Sequence, residues 1–162
     1  MANRRRLFEL MAVASAIVTY ATVIVGGTVR SAGAGMGCGA DWPFCNGAVI
    51  PDLSNPDVAI EFSHRVVAFA TGIVMLLTLI LAFLWYRTDR RILFLSLSTF
   101  LLVVAQALLG AVTVQTELNS AVVTFHLAVG TATFAAALAL AIVTLMHPPG
   151  KAAGEGSEAP AG

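Results

Sequence analysis

The chain has 162 residues, 58% of them hydrophobic and only 11% charged, and its nine basic residues balance nine acidic ones. A water-soluble domain of this length has no use for so much apolar surface, so the composition excludes an ordinary soluble globule and points to a membrane. The arginine clusters are short and sit beside hydrophobic runs, which excludes a nucleic-acid-binding surface.

Taken in chain order, four apolar runs reach the length of a membrane span, at roughly 7–29, 60–86, 92–115 and 120–146. Arg4, Arg5 and Arg6 precede the first run. Arg87, Arg90 and Arg91 lie in the link between the second and third, and Lys151 follows the fourth. The positive-inside rule puts these on the cytoplasmic side, so both termini are expected inside and the 30–59 loop and 116–119 turn outside. Arg30 runs against the pattern but is outweighed by the clusters. The first run is too long for the apolar part of a secretory signal and ends in no small-residue cleavage site, so it is read as a retained helix. Short links between runs two, three and four favour antiparallel neighbours. The expected fold is therefore all-α, an up-down-up-down bundle of four transmembrane helices over 1–146 with a long extracytoplasmic loop. Residues 147–162, rich in Pro, Gly, Ala and Glu, read as a disordered cytoplasmic tail.

Two histidines sit at matching depths in this oily chain. His64 lies about a turn inside the outer end of the second run, and His126 has the same place in the fourth. Imidazole is costly in hydrocarbon without a partner, so such a residue marks a functional site by default. Runs two and four travel in the same direction and fall diagonally across the bundle. With neighbouring helices about 8–10 Å apart, that diagonal admits a flat macrocycle between two imidazoles, as in axial ligation of haem iron. A weak internal repeat agrees with this. Gly26-Gly27-Thr28-Val29 and Gly110-Ala111-Val112-Thr113-Val114 each precede a run with a histidine near its outer end, in Phe62-Ser63-His64 and Phe125-His126. Two helical hairpins in parallel orientation would produce it.

Glu61, three residues before His64, shares its helix face and falls beside whatever His64 binds. Arg65, at the same depth, is placed to meet an anionic group such as a haem propionate. The plainer alternative is a helix-end cluster solvated by headgroups, with His64 hydrogen-bonded to a neighbouring helix. Gln106 and Thr113 are expected to hydrogen-bond between helices. Gln115 and Glu117 fall near the outer surface, and His147 sits at the cytoplasmic interface with no assigned role.

The 30–59 loop is too long to be a simple connection. Gly33, Gly35, Gly37 and Gly39 surround Cys38, and Trp42-Pro43-Phe44-Cys45-Asn46-Gly47 follow. Cys38 and Cys45 are the only cysteines and fall on the oxidising side, where a disulfide is the natural pairing. Closing so short a loop stabilises it by roughly 2–3 kcal/mol in the chain-entropy model. Exchange with an external thiol carrier is the alternative use of the pair. Zinc is disfavoured, because no further Cys or His accompanies them.

The stretch from Gly27 to Gly35, then Cys38, Asp41-Trp42-Pro43, Cys45, Gly47 and Ile50-Pro51, resembles the first external loop of the haem A synthases. Ile60-Glu61-Phe62-Ser63-His64-Arg65 resembles their second-helix motif. Gln106, Leu109-Gly110, Thr113-Val114 and Phe125-His126 are similar to their third and fourth helices. The resemblance implies a membrane oxidoreductase that oxidises a methyl group of haem O to a formyl group, giving haem A for terminal oxidases. It implies His64 and His126 as axial ligands of haem iron, haem b as cofactor, haem O as substrate and Glu61 as the catalytic carboxylate. It also implies a Cys38–Cys45 disulfide that assists. Arg65 as a propionate partner rests on charge and depth alone.

Family members usually carry eight helices in two related halves. This chain resembles a single half, the one whose histidine is accompanied by a glutamate. A compact, self-associating synthase is the expected form, with membrane lipid, haem O synthase and an external thiol or electron donor as further partners. Two other functions remain open. One is a non-catalytic bis-histidine b-type cytochrome, which gives no reason for Glu61 or the Gly/Cys-rich loop. The other is a membrane thiol–disulfide oxidoreductase, which normally needs a second dithiol that this chain lacks.

Overall fold

A computed structural model describes residues 2–146; the expected tail, with His147 and Lys151, lies outside the described residues. Four helices follow in order: α1 (Ala2–Ser31), α2 (Pro56–Trp85), α3 (Arg90–Gln115) and α4 (Ser120–Met146). Each is long and apolar enough to cross a membrane. Among the described residues the only β pairing is an isolated bridge between Cys45 and Ala48. The expected all-α class with four membrane-length helices is what the structure has, and the chain is a multi-pass membrane protein.

Local chemistry sets where the helices begin and end. Asn55 caps α2 by accepting the Asp57 N–H at 3.0 Å, and Pro56 fills the first helical position, where its missing N–H costs nothing. Asp89 caps α3 through the N–H groups of Arg91 and Ile92. Asn119 accepts the Ala121 N–H at 3.0 Å at the start of α4. These caps lie outside the hydrophobic runs, so the helices outrun the hydropathy. α2 starts at Pro56 instead of 60, and α1 extends back to Ala2 through the arginine cluster, where Arg5 pairs with Glu9 at 2.6 Å.

The helices close into a ring. α1 touches α2 and α4, and α3 touches the same two, with no contact across either diagonal. α2 and α4 are thus opposite each other. The buried core lies in the half of the bundle nearer the helix ends at Ala2, Trp85 and Met146. Phe8, Ala12 and Ala16 meet Met75 and Ala82, Ile92, and Ala137, Leu140 and Ala141 there. Alanines let the backbones approach closely, which is how membrane helices associate without a hydrophobic drive between them. Two hydroxyl pairs stitch α1 to α2, Ser15 with Thr78 at 3.1 Å and Thr22 with Thr71 at 2.8 Å. Large apolar side chains such as Leu10, Ile17, Phe69, Leu84, Phe94 and Leu101 face outward, where lipid is their solvent.

The loop end is built differently. The α3–α4 turn puts Glu117 (φ 50°) and Leu118 (φ 62°) in the left-handed region, at a cost of order 1–3 kcal/mol each. Leu118 packs on Gly35 of the long loop, a Cβ built there falling 3.1 Å from its Cδ1. The two connections at this end therefore support each other.

Candidate functional site

His64 on α2 and His126 on α4 stand at the loop end, on diagonally opposed helices. Each ring lies against a glycine of the helix before it. A Cβ built on Gly26 of α1 falls 2.9 Å from Cε1 of His64, and one built on Gly110 of α3 falls 3.7 Å from Cε1 of His126. Both Nδ1 atoms are buried without a hydrogen-bond partner. Buried polar atoms in folded proteins almost always have one, so two orphans on facing helices ask for a ligand or for something that orders the rings. Gln106 does cross between helices as expected, donating from Nε2 to the His126 carbonyl at 2.8 Å. Thr113 does not: its hydroxyl donates to Leu109 O within α3, which satisfies it locally.

Beside His64, a polar cluster joins α2 to the loop. Glu61 is only 4% exposed, and its carboxylate is saturated from two sides. Oε2 accepts the Cys38 N–H at 2.8 Å, while Oε1 accepts Arg65 Nε at 3.2 Å and Nη2 at 2.5 Å. Arg65 Nη1 then donates to the carbonyls of Asp41 at 2.7 Å and Phe44 at 2.6 Å. Four of the guanidinium's five N–H groups are thereby spent within the protein. The spacing of four residues puts Glu61 and Arg65 on one helix face, and the loop backbone supplies the remaining partners.

Cys38 and Cys45 form a disulfide, S–S 2.01 Å, and both are buried with Val58 and Phe62. The bridged segment is tied further by Asn46, whose backbone N–H reaches Cys38 O at 3.2 Å and whose side chain reaches Gly37 O at 3.0 Å. At Gly37 the loop rests directly on the first turn of α2. A Cβ there would lie 2.3 Å from the Asp57 carbonyl oxygen, so only glycine fits.

Of the residues singled out from sequence, Glu61, Arg65, Cys38 and Cys45 come together in one cluster, and His64 sits next to it on α2. His126 belongs to the opposite helix with no charged neighbour of this kind. Four contributors were not anticipated: Gly26 and Gly110 as surfaces for the imidazoles, and the Asp41 and Phe44 carbonyls as arginine acceptors. Glycine within an apolar helix was the available signal for the first two.

Comparison with known proteins adds the family. The chain matches the family model described as Cytochrome oxidase assembly protein (COX15-CtaA) over residues 9–59 and 55–160. It is 32% identical over 136 residues to proteins named heme A synthase from Bacillus mycoides (strain KBAB4) and Bacillus cereus (strain AH187). Those alignments cover 84% of this chain and 44% of each relative, so the matched part spans less than half the length of those relatives. No solved structure matches. With the match running through the bridged loop and all four helices, the chain belongs to the COX15-CtaA family of cytochrome oxidase assembly proteins.

Proposed function

We propose that this chain is a haem A synthase, oxidising a methyl group of haem O to a formyl group to supply haem A to terminal oxidases. What carries the proposal is the pair of buried, unpartnered Nδ1 atoms on diagonally opposed helices. Two imidazoles are too few to hold a metal alone, but they suit an iron whose other positions belong to a macrocycle. The residues present fit that group, and His64 and His126 would hold its iron. Haem bound there would supply electron transfer, with haem b as the proposed cofactor and haem O as the proposed substrate.

The chain's own groups then have distinct tasks. Gly26 and Gly110 back the imidazoles. Glu61 is the acid–base group of the site, and its bonding limits where a proton is taken up. Oε1 already accepts two N–H groups, whereas Oε2 accepts one and keeps a free lone pair. A proton arriving at Oε2 breaks no existing bond. Arg65 has one N–H left, on Nη2, and that is the donor available to an anionic group such as a propionate. Its larger task is to hold Glu61 and the loop in register. The disulfide keeps Cys38, and with it the N–H on Glu61, from leaving. Exchange with an external thiol would release this hold.

The cytoplasmic side takes the arginine clusters and the bridged loop lies outside, as the positive-inside rule requires. Haem O synthase and an electron donor are the partners, in a lipid setting. Self-association of the chain belongs to the same proposal.

Expression together with a haem O source tests this. Haem A or its hydroxylated precursor is expected in the extracted pigment. Haem b alongside unchanged haem O would make the protein a b-type cytochrome instead, and a colourless purified protein would remove both.

A further inference from the structure

We infer that Gly26 is a positioning residue for His64: the missing side chain at this point of α1 sets where the imidazole lies and how its plane is turned. The inference takes its ligand role for His64 from the function proposed above, but its packing basis is independent of it.

No hydrogen bond to Nδ1 holds the His64 ring, because that atom is buried without a partner. Its orientation is left to the surfaces that touch it. Gly26 is one of them, with Cε1 2.9 Å and both ring nitrogens 3.5 Å from a built Cβ. Real Cβ atoms essentially never come that close to a neighbour, so a methyl group here forces the ring to move. Glycine is a poor residue for the interior of a 30-residue helix, and α1 carries two in succession. Only the first has a contact to justify it: a Cβ on Gly27 meets nothing within 4 Å. The corresponding position on the other hairpin is looser. At Gly110 the built Cβ lies 3.7 Å from His126 Cε1, an ordinary contact that leaves room for a methyl group. The two imidazoles are thus backed unequally, His64 without slack and His126 with it. If His64 points its nitrogen at iron, Gly26 fixes the direction of that bond.

The full chain in detergent, with its three histidines labelled with ¹³C and ¹⁵N, tests this through Gly26→Ala, Gly27→Ala and Gly110→Ala. Gly26→Ala is expected to shift the His64 ring signals and leave those of His126 in place. Gly27→Ala and Gly110→Ala are expected to leave both rings as in the parent. Parent protein should also give a nuclear Overhauser contact between His64 Hε1 and the Gly26 α-protons, a measurement that does not depend on any variant folding. On adding haem, Gly26→Ala is expected to hold it up to about tenfold more weakly, with an altered low-spin signal, as a ring pushed off its rotamer would. Gly27→Ala should bind as the parent does. An unmoved His64 ring in Gly26→Ala, an equal shift in Gly27→Ala, or a missing Overhauser contact would each overturn the inference. A displaced ring with unchanged haem affinity and spectrum would overturn the positioning role. A parent protein that takes no haem while the ring shift stays specific to Gly26→Ala would support the packing and remove the ligand role alone.

Discussion

The two hairpins share a plan but not a degree of restraint. In α1–α2 a histidine lies against a glycine at 2.9 Å, two hydroxyl pairs bridge the helices, and a disulfide-closed loop is pinned to α2 by Glu61 and Arg65. In α3–α4 the matching histidine has slack over its glycine, and Gln106 supplies a single side-chain bond between the helices. Their connection is a four-residue turn with two left-handed residues. One hairpin is tied by side-chain bonds and a disulfide; the other is held mainly by packing. If the site takes haem as proposed, the imidazole on the tied hairpin is the one whose direction is set beforehand.

The sharpest way to break the contrast is Arg65→Ala. The substitution leaves the Glu61 carboxylate buried with one remaining donor and strips the Asp41 and Phe44 carbonyls of theirs. Breaking a buried pair from one side costs about 3–5 kcal/mol. Arg5→Ala is the control, since its partner Glu9 is a helix neighbour and the arginine is 46% exposed, and such surface pairs contribute about 0–1 kcal/mol. Denaturant melts in detergent should separate the two variants clearly. Similar melts would mean that the Glu61–Arg65 cluster restrains nothing.

Removing the disulfide with Cys38→Ser and Cys45→Ser together should cost less, about 2–3 kcal/mol by loop-closure entropy. The loss should be local. Hydrogen exchange should quicken at the Cys38 and Asn46 amides while the helix amides around Met75 and Leu140 stay protected. Exchange quickened throughout the bundle would show that the loop supports the whole fold, not only the His64 face.

Why one part of this was legible in the sequence and another was not follows from the range of the forces. The four helices were legible because hydropathy over 20 residues is a local sum, and the diagonal placement of His64 and His126 followed from the short links. Even the start of α2 was present as Asn55-Pro56-Asp57, a cap and first-turn signal that hydropathy alone overlooks. Arg65 was different. Its charge and depth indicated an anionic partner, and the structure gives it Glu61 four residues away plus two carbonyls more than twenty residues upstream. Those carbonyls depend on the path of the loop, which Gly37 permits by lying flat on α2. No local pattern encodes that path. Nor does anything in Gly26-Gly27 say which glycine meets a side chain; the rotation of α1 against α2 decides it.

The smallest effects sharpen the contrast most finely. Thr71→Val removes one hydroxyl from the α1–α2 contact, but Thr22 keeps its bond to Val18 O at 2.8 Å, so no buried group is orphaned. The loss should be near the average for polar contacts between membrane helices, about 0.6 kcal/mol. Thr78→Val should behave alike, because Ser15 keeps Met11 O at 2.9 Å. The two threonines stand about 10 Å apart along the helix, far enough for their effects to add. Gln106→Leu on the other hairpin also costs little in stability, since the His126 carbonyl it frees sits within a continuous helix. Its effect should appear at His126 itself, as broadened ring signals in the labelled protein, whereas the double threonine variant leaves the His64 ring sharp because Gly26 and the pinned loop still confine it. Equal broadening at both rings would erase the difference between a tied hairpin and one held mainly by packing.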